Sequence, residues 1–188
     1  MDRNIGATSS DNRGVLFQWG RKDPFTRYNS KQSVAKTETT GTIIYSIMHP
    51  TSFITSPEYS ADWCVGDSES LETRWDDNNK TIYDPCPYGW RVPNAQIWDS
   101  YSYNTKYDYF DGEGLRFEID NSKYAWYPIV GIISSGSGDW TSQYGYAGYH
   151  SGKSDKYLGF RSWTSSTTYV PSGCYAKATG RAVRCQKE

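Results

Sequence analysis

Residues 84–93 read DPCPYGWRVP, and no other stretch restricts the fold of this chain as sharply. Pro85, Pro87 and Pro93 each hold φ at about −65° and withhold a backbone donor, which rules out a helix interior. The missing donors rule out a central strand as well. What remains is an ordered corner, with prolines to set the approach, Cys86 to tie it down and Trp90 to pack inward. Asn94 follows directly and is a good N-cap, so a short helix is expected over 93–101 with Ile97 and Trp98 turned inward.

The cysteines decide what could tie the corner down. Cys64, Cys86, Cys174 and Cys185 allow three pairings. No C-x-x-C pair occurs, and neither His49 nor His150 lies near a cysteine at ligand spacing, which argues against zinc. In a chain rich in Tyr, Ser and Thr, disulfides in an oxidising compartment are the better reading. The favoured bridge is Cys86 to Cys185, joining the corner to the last strand; Cys64 and Cys174 are left paired or free. A net charge of −1 and a pI near 6.1 argue against a nucleic-acid partner. No apolar run approaches the roughly 20 residues that span a bilayer, so this chain is not expected to insert into a membrane.

Along the chain, GVLFQWG (14–20), IIYSI (43–47), LRFEI (115–119), YAWYPIVGII (124–133) and RAVRC (181–185) read as strands. DSESLETRWDDNNKT (67–81) offers Ser68 or Ser70 as a cap for a second short helix, ending in an acidic turn. The polar, aperiodic stretch 27–42 reads as a mobile insertion. The expected fold class is α+β, with two short helices, a small twisted, mainly antiparallel sheet and long loops. A length of 188 residues suits one domain over 1–188, and the abrupt opening MDRNIGATSS reads as a piece of a longer surface protein.

Taken together, DRNIGA (2–7), FQWGRKDPF (17–25), DWC (62–64), KTIYDPCPYGWRVPNAQIW (80–98) and GRAVRCQKE (180–188) resemble a known family. The chain is similar to the Fibrobacter succinogenes major paralogous domain and the related C-terminal domains of fimbrillin-like surface proteins of gut anaerobes. The resemblance is carried by blocks from one end of the chain to the other, G-W-R-V-P and V-R-C being the most specific. It implies a C-type-lectin-like fold, an extracellular or cell-surface location and, for the corner, a role as scaffold.

Catalysis is not expected. No G-x-S-x-G or H-E-x-x-H pattern is present, and the surroundings of Cys174 and Cys185 do not match the thiol motif of the distantly related sulfatase-modifying enzymes. No cofactor is expected; WDDNNK (75–80) and YFDGEG (109–114) are the candidates for calcium, as they supply hard oxygen ligands. The sharper signal is the span 134–179, where Tyr, Ser, Gly and Thr crowd together. Tyr gives contact area with few rotors to freeze, while Ser and Gly adapt around it, as in antibody paratopes. The candidate ligand-binding residues are Trp140, Ser142, Tyr144, Tyr146, Tyr149, His150, Ser154, Asp155, Tyr157, Trp163, Tyr169 and Tyr175.

The span also resembles the variable segment of proteins diversified by retroelements, several of which use a C-type-lectin-like fold. Adenine mutagenesis of AAC codons yields Tyr, His, Ser, Asp, Thr, Ile, Gly and Cys, the residues that crowd this span. The expected function is a non-catalytic adhesin or receptor-binding module at a pilus tip, cell surface or phage particle. It would bind a glycan or a protein on another cell or host surface. The alternative is a structural fimbrial subunit module with a fixed protein partner, with Phe17, Trp19 and Phe25 facing a partner or a missing upstream strand.

Overall fold

The structure is a computed structural model describing residues 1–26, 32–56, 62–66, 73–97, 107–110, 114–120, 123–141, 146–152, 157–161, 168–169 and 177–188. In chain order the elements are β1 (Leu16–Phe17), β2 (Ser33–Ala35), α1 (Ile43–Met48), β3 (Phe53–Thr55), β4 (Trp90–Arg91), β5 (Tyr107–Phe110), β6 (Gly114–Asp120) and β7 (Lys123–Pro128). They continue with β8 (Ile132–Ile133), β9 (Trp140–Thr141), β10 (Tyr146–His150), β11 (Tyr157–Arg161), β12 (Thr168–Tyr169), β13 (Arg181–Ala182) and β14 (Gln186–Lys187). The architecture is α+β: several small sheets and, among the described residues, a single short α-helix.

The central sheet runs β1-β13-β10-β11-β12. Its first strand pairs antiparallel with β13, close to the other end of the chain, through Leu16↔Ala182 and Phe17↔Arg181. Neighbouring residues on a strand point to opposite faces, and both residues of β1 are buried, so both faces of this strand are covered. Leu16 joins Phe25, Phe53, Tyr127, Ile133 and Tyr149 in one cluster. Phe17 joins Trp19, Trp75, Val92 and Val183 around Cys86 and Cys185 in another. A third cluster holds Ile54, Trp63, Cys64 and Ala178.

The corner is as ordered as its prolines demand. Cys86 and Cys185 form a disulfide across 99 positions of chain, and β4 pairs antiparallel with β14 beside it. Asp84, almost fully buried, accepts from the Cys86 amide at 2.7 Å and the Val92 amide at 2.8 Å. Lys80 Nζ lies 3.0 Å from the same carboxylate and also donates to the Cys86 carbonyl at 2.5 Å and the Trp90 carbonyl at 2.9 Å.

Several elements differ from the sequence reading. IIYSI is helical, not extended: the Thr42 hydroxyl accepts the Tyr45 amide at 3.0 Å, and this cap outweighs the strand preference of the two β-branched residues. Residues 73–81 form turns rather than a helix, and 67–72 lie outside the described residues. Asn94 caps as expected, accepting the Gln96 amide at 2.8 Å, but the described residues after it form one 3₁₀ turn over 95–97. Ile97 points outward, 39% exposed, and Trp98 lies outside the described residues. In the stretch read as an insertion, Ser33–Ala35 pair in parallel with β3, and Thr37 and Thr40 bind one another before the helix cap. The strand expected over 124–133 is interrupted after Pro128 and resumes at Ile132; just before the second piece Gly131 has a φ of +74°, and a Cβ there would sit 2.6 Å from the Thr141 carbonyl. In 14–20 only Leu16–Phe17 is strand, and in 181–185 only Arg181–Ala182.

Candidate functional site

The tyrosine-rich span is laid on β9 to β12, and two of its candidate contact residues turn out to hold it in place. Tyr149 is fully buried; its hydroxyl donates to the Pro128 carbonyl at 2.6 Å, and its ring meets Tyr127 edge-on at 5.0 Å. Burial pushes its hydroxyl pKa far above the ordinary tyrosine value. His150 is also buried, with Nε2 donating to the Phe17 carbonyl at 3.0 Å and its ring edge-on to Trp75 at 5.5 Å. Burial, and then the charge of Arg181, hold its pKa well below 6.5, so it stays neutral. Both residues therefore serve the core and not a contact surface. The alternation of β10 sends them into opposite clusters and leaves neither ring open to a ligand.

The other candidates divide by position. Trp140 is half-buried, donating from Nε1 to the Val130 carbonyl at 3.2 Å and packing against the core. Tyr146, Tyr157 and Tyr169 lie on three adjacent strands, β10, β11 and β12: Tyr146 lies opposite Arg161, Tyr157 opposite His150, and Tyr169 opposite Gly159. Ser142, Tyr144, Ser154, Asp155, Trp163 and Tyr175 lie outside the described residues.

The calcium candidate at 75–80 is a set of turns whose carboxylates face the chain itself. Asp76 Oδ1 accepts the amides of Asn78 and Asn79, both at 2.7 Å, and these backbone bonds lower its pKa. Asp77 Oδ1 accepts the Ala95 amide at 3.1 Å. Among the described residues no three His, Cys, Asp or Glu side chains gather as a metal site; residues 111–113 of the second candidate lie outside them. Cys64 is a buried free thiol whose pKa burial pushes up, and Cys174 lies outside the described residues.

Phe17, Trp19 and Phe25, expected on the fimbrial reading to face a partner, are all buried. Trp19 and Trp63 instead form a ladder with cations. The Arg21 guanidinium stands 5.4 Å from the Trp63 ring, Arg74 lies 4.6 Å from Trp63 and 5.3 Å from Trp19, and Lys177 lies 5.4 Å from Trp19. Arg21 and Arg74 each have a carboxylate, Asp23 and Asp62 respectively. Gly20 makes the stacking possible: its φ is +80°, and a Cβ there would lie 2.7 Å from Arg74 Cβ.

A feature the sequence reading missed lies between β4, β7 and the C-terminal strand. A cleft of about 630 Å³ is lined by Trp90, Pro93, Trp126, Tyr127, Arg184 and Gln186, among others. Arg184 is 7% exposed. Its Nε donates to Asn4 Oδ1 at 3.2 Å, its Nη1 to the Trp126 carbonyl at 2.5 Å, and its guanidinium lies 4.1 Å from the Tyr127 ring centre. Nη2 is sealed from solvent and has no hydrogen-bond partner among the described residues. The sequence signal was an arginine set between Val183 and Cys185 in the V-R-C block.

Comparison of the chain with protein-family models, curated proteins and solved structures finds no match to any of them.

Proposed function

We propose that this chain is a non-catalytic ligand-binding module of C-type-lectin-like fold, displayed on a cell surface, pilus tip or phage particle. Its tyrosine-rich strands and their connections bind a glycan or a protein. One observation carries the reading. The register sets the backbones of Tyr146, Tyr157 and Tyr169 on three adjacent strands, while Tyr149 and His150 pin the first of those strands to the core. That is a recognition segment on a fixed floor, with Tyr as the contact-rich, rotor-poor residue. The pairing of β1 with β13 and the disulfide between corner and C-terminal strand support the lectin-like fold.

Diversification by a retroelement extends the reading. On this fold it would vary codons within 134–179 but spare 149–152. Ser151 is fully buried, and a Cβ on Gly152 would lie 2.5 Å from the Asp76 carbonyl. Sequencing the 3′ end of the gene across one population tests this; substitutions at Tyr149 or His150 as frequent as those at Tyr157 would sink it. The binding reading itself is tested on a glycan array and on host-surface protein. Tyr146→Ala, Tyr157→Ala and Tyr169→Ala should each weaken capture while Tm stays within a degree or two, about what a change under 0.5 kcal/mol gives. Parallel loss of stability and capture would mean that these rings belong to the core.

A further inference from the structure

We propose that the outer face of α1 is the contact through which two copies of this chain form a weak, two-fold symmetric dimer. Ile44, Ile47 and Met48 stand at i, i+3 and i+4 and so share one face of the helix. They are 71%, 65% and 69% exposed, whereas Ile43 and Tyr45 pack against the cluster around Trp63 and Ser46 is buried. An apolar stripe at this spacing ordinarily faces the core. Here it is turned outward, and the inner side of the helix is already filled.

The stripe is also held rigidly. The Thr42 cap fixes the first turn, and the Ser46 hydroxyl donates to the Ile43 carbonyl at 2.8 Å. Arg21 ties down the far end, donating from Nη1 to the Ser52 carbonyl at 2.9 Å and from Nη2 to the Ser46 and Pro50 carbonyls at 3.5 Å. A helix face has no open strand edge for an extended peptide. Nor does this one have a charge to recruit an ionic partner: residues 39–57 are the longest stretch of the chain without Asp, Glu, Lys or Arg. What fits it is another uncharged apolar ridge, and a second copy brings one. Two such stripes facing each other across a two-fold axis interdigitate without setting like charges together. A net charge of −1 scarcely opposes the approach of two copies. The three side chains expose about 400 Å², roughly half of the 800 Å² that each partner buries in a standard interface, so the dimer is weak, with a Kd of about 0.1–1 mM.

The test is analytical sedimentation of the 188-residue protein from about 10 μM to about 1 mM, over which monomer should pass into dimer and no further. Ile47→Asp should weaken the association about tenfold or more, with Tm unchanged because the side chain is exposed. Ile82→Asp, at an isoleucine outside α1 that is 76% exposed, should associate as the parent does. A protein that stays monomeric at the top concentration, a dimer that survives a folded Ile47→Asp, an equal loss in Ile82→Asp, or growth into open-ended oligomers would each overturn the proposal. Flotation with phosphatidylcholine vesicles checks a lipid surface as the other occupant. Binding by the parent that Ile47→Asp abolishes would give the stripe to a membrane and overturn the dimer. Should Ile47→Asp fail to fold, Met48→Lys replaces it with the same expectation. These measurements use no ligand of the tyrosine-rich strands, so failure here is distinguishable from failure of that surface.

Discussion

The proline corner and the tyrosine-rich span meet on the same small scaffold but are held by different means. In the corner nearly every polar group is answered within a few residues. Asp84 takes two amides and an ammonium, Lys80 closes two carbonyls, and the disulfide and β4–β14 pairing join the whole to the chain's last strand. Among the described residues of the span, Tyr149, His150 and the Ser151 carbonyl, which accepts the Trp19 indole N–H at 3.1 Å, meet the core. The difference teaches where sequence change is tolerated. A corner built from interlocking hydrogen bonds loses several at once when one residue is altered. On the proposed function, Tyr146, Tyr157 and Tyr169 are the positions of the span that serve recognition, while Tyr149 and His150 hold it to the core.

The largest effect that this contrast predicts is at Asp84. Replacing it with Ala strands the Lys80 ammonium and the buried amides of Cys86 and Val92, and about 3–5 kcal/mol of stability should be lost in urea titration. A loss below about 1 kcal/mol would erase the difference between the two regions. Removing the disulfide with paired Cys86→Ser and Cys185→Ser changes should cost about 2–5 kcal/mol, measured in the same way.

His150 sharpens the comparison from the other side, because its anchoring is pH-sensitive. Folding holds this imidazole neutral with a pKa well below 6.5. The unfolded chain therefore takes up the proton first as pH falls. The stability it contributes is complete above about pH 6.5 and declines below it, by up to about 1.4 kcal/mol per pH unit. Urea midpoints between pH 7 and 5 measure that slope, and a His150→Asn variant should lack this component of it. Tyr149→Phe removes one buried bond to the Pro128 carbonyl and should cost about 1 kcal/mol. Tyr157→Ala marks the small end, within about 0.5 kcal/mol; a cost near that of Asp84→Ala would show that both regions are scaffold.

Much of the corner was legible because proline, cysteine and Asn at an N-cap act locally. The fixed φ, the missing donors and the Asn94 cap need no distant partner to be read, and Cys86–Cys185 was the favoured bridge where four cysteines allow three pairings. Legibility failed where two local signals compete or where partners lie far apart in sequence. Ile43 and Ile44 signalled a strand, but the Thr42 cap turned the segment into α1. The tyrosines of the span look alike in sequence, and nothing near Tyr149 says that its hydroxyl will reach Pro128, or that His150 will reach Phe17 across 133 positions.

By itself the sequence determined the ordered corner, its preferred staple, the α+β class and the concentration of tyrosine over the last third. Each of these follows from residue chemistry that acts within a few positions or from composition alone. The tertiary structure decided that Tyr149 and His150 are floor, that Phe17, Trp19 and Phe25 are core, and that Arg184 is buried with no carboxylate paired to it among the described residues. Those outcomes depend on burial and on contacts between residues far apart in the chain, since desolvation gives a hydroxyl, an imidazole or a guanidinium its energetic meaning only once the fold has closed around it.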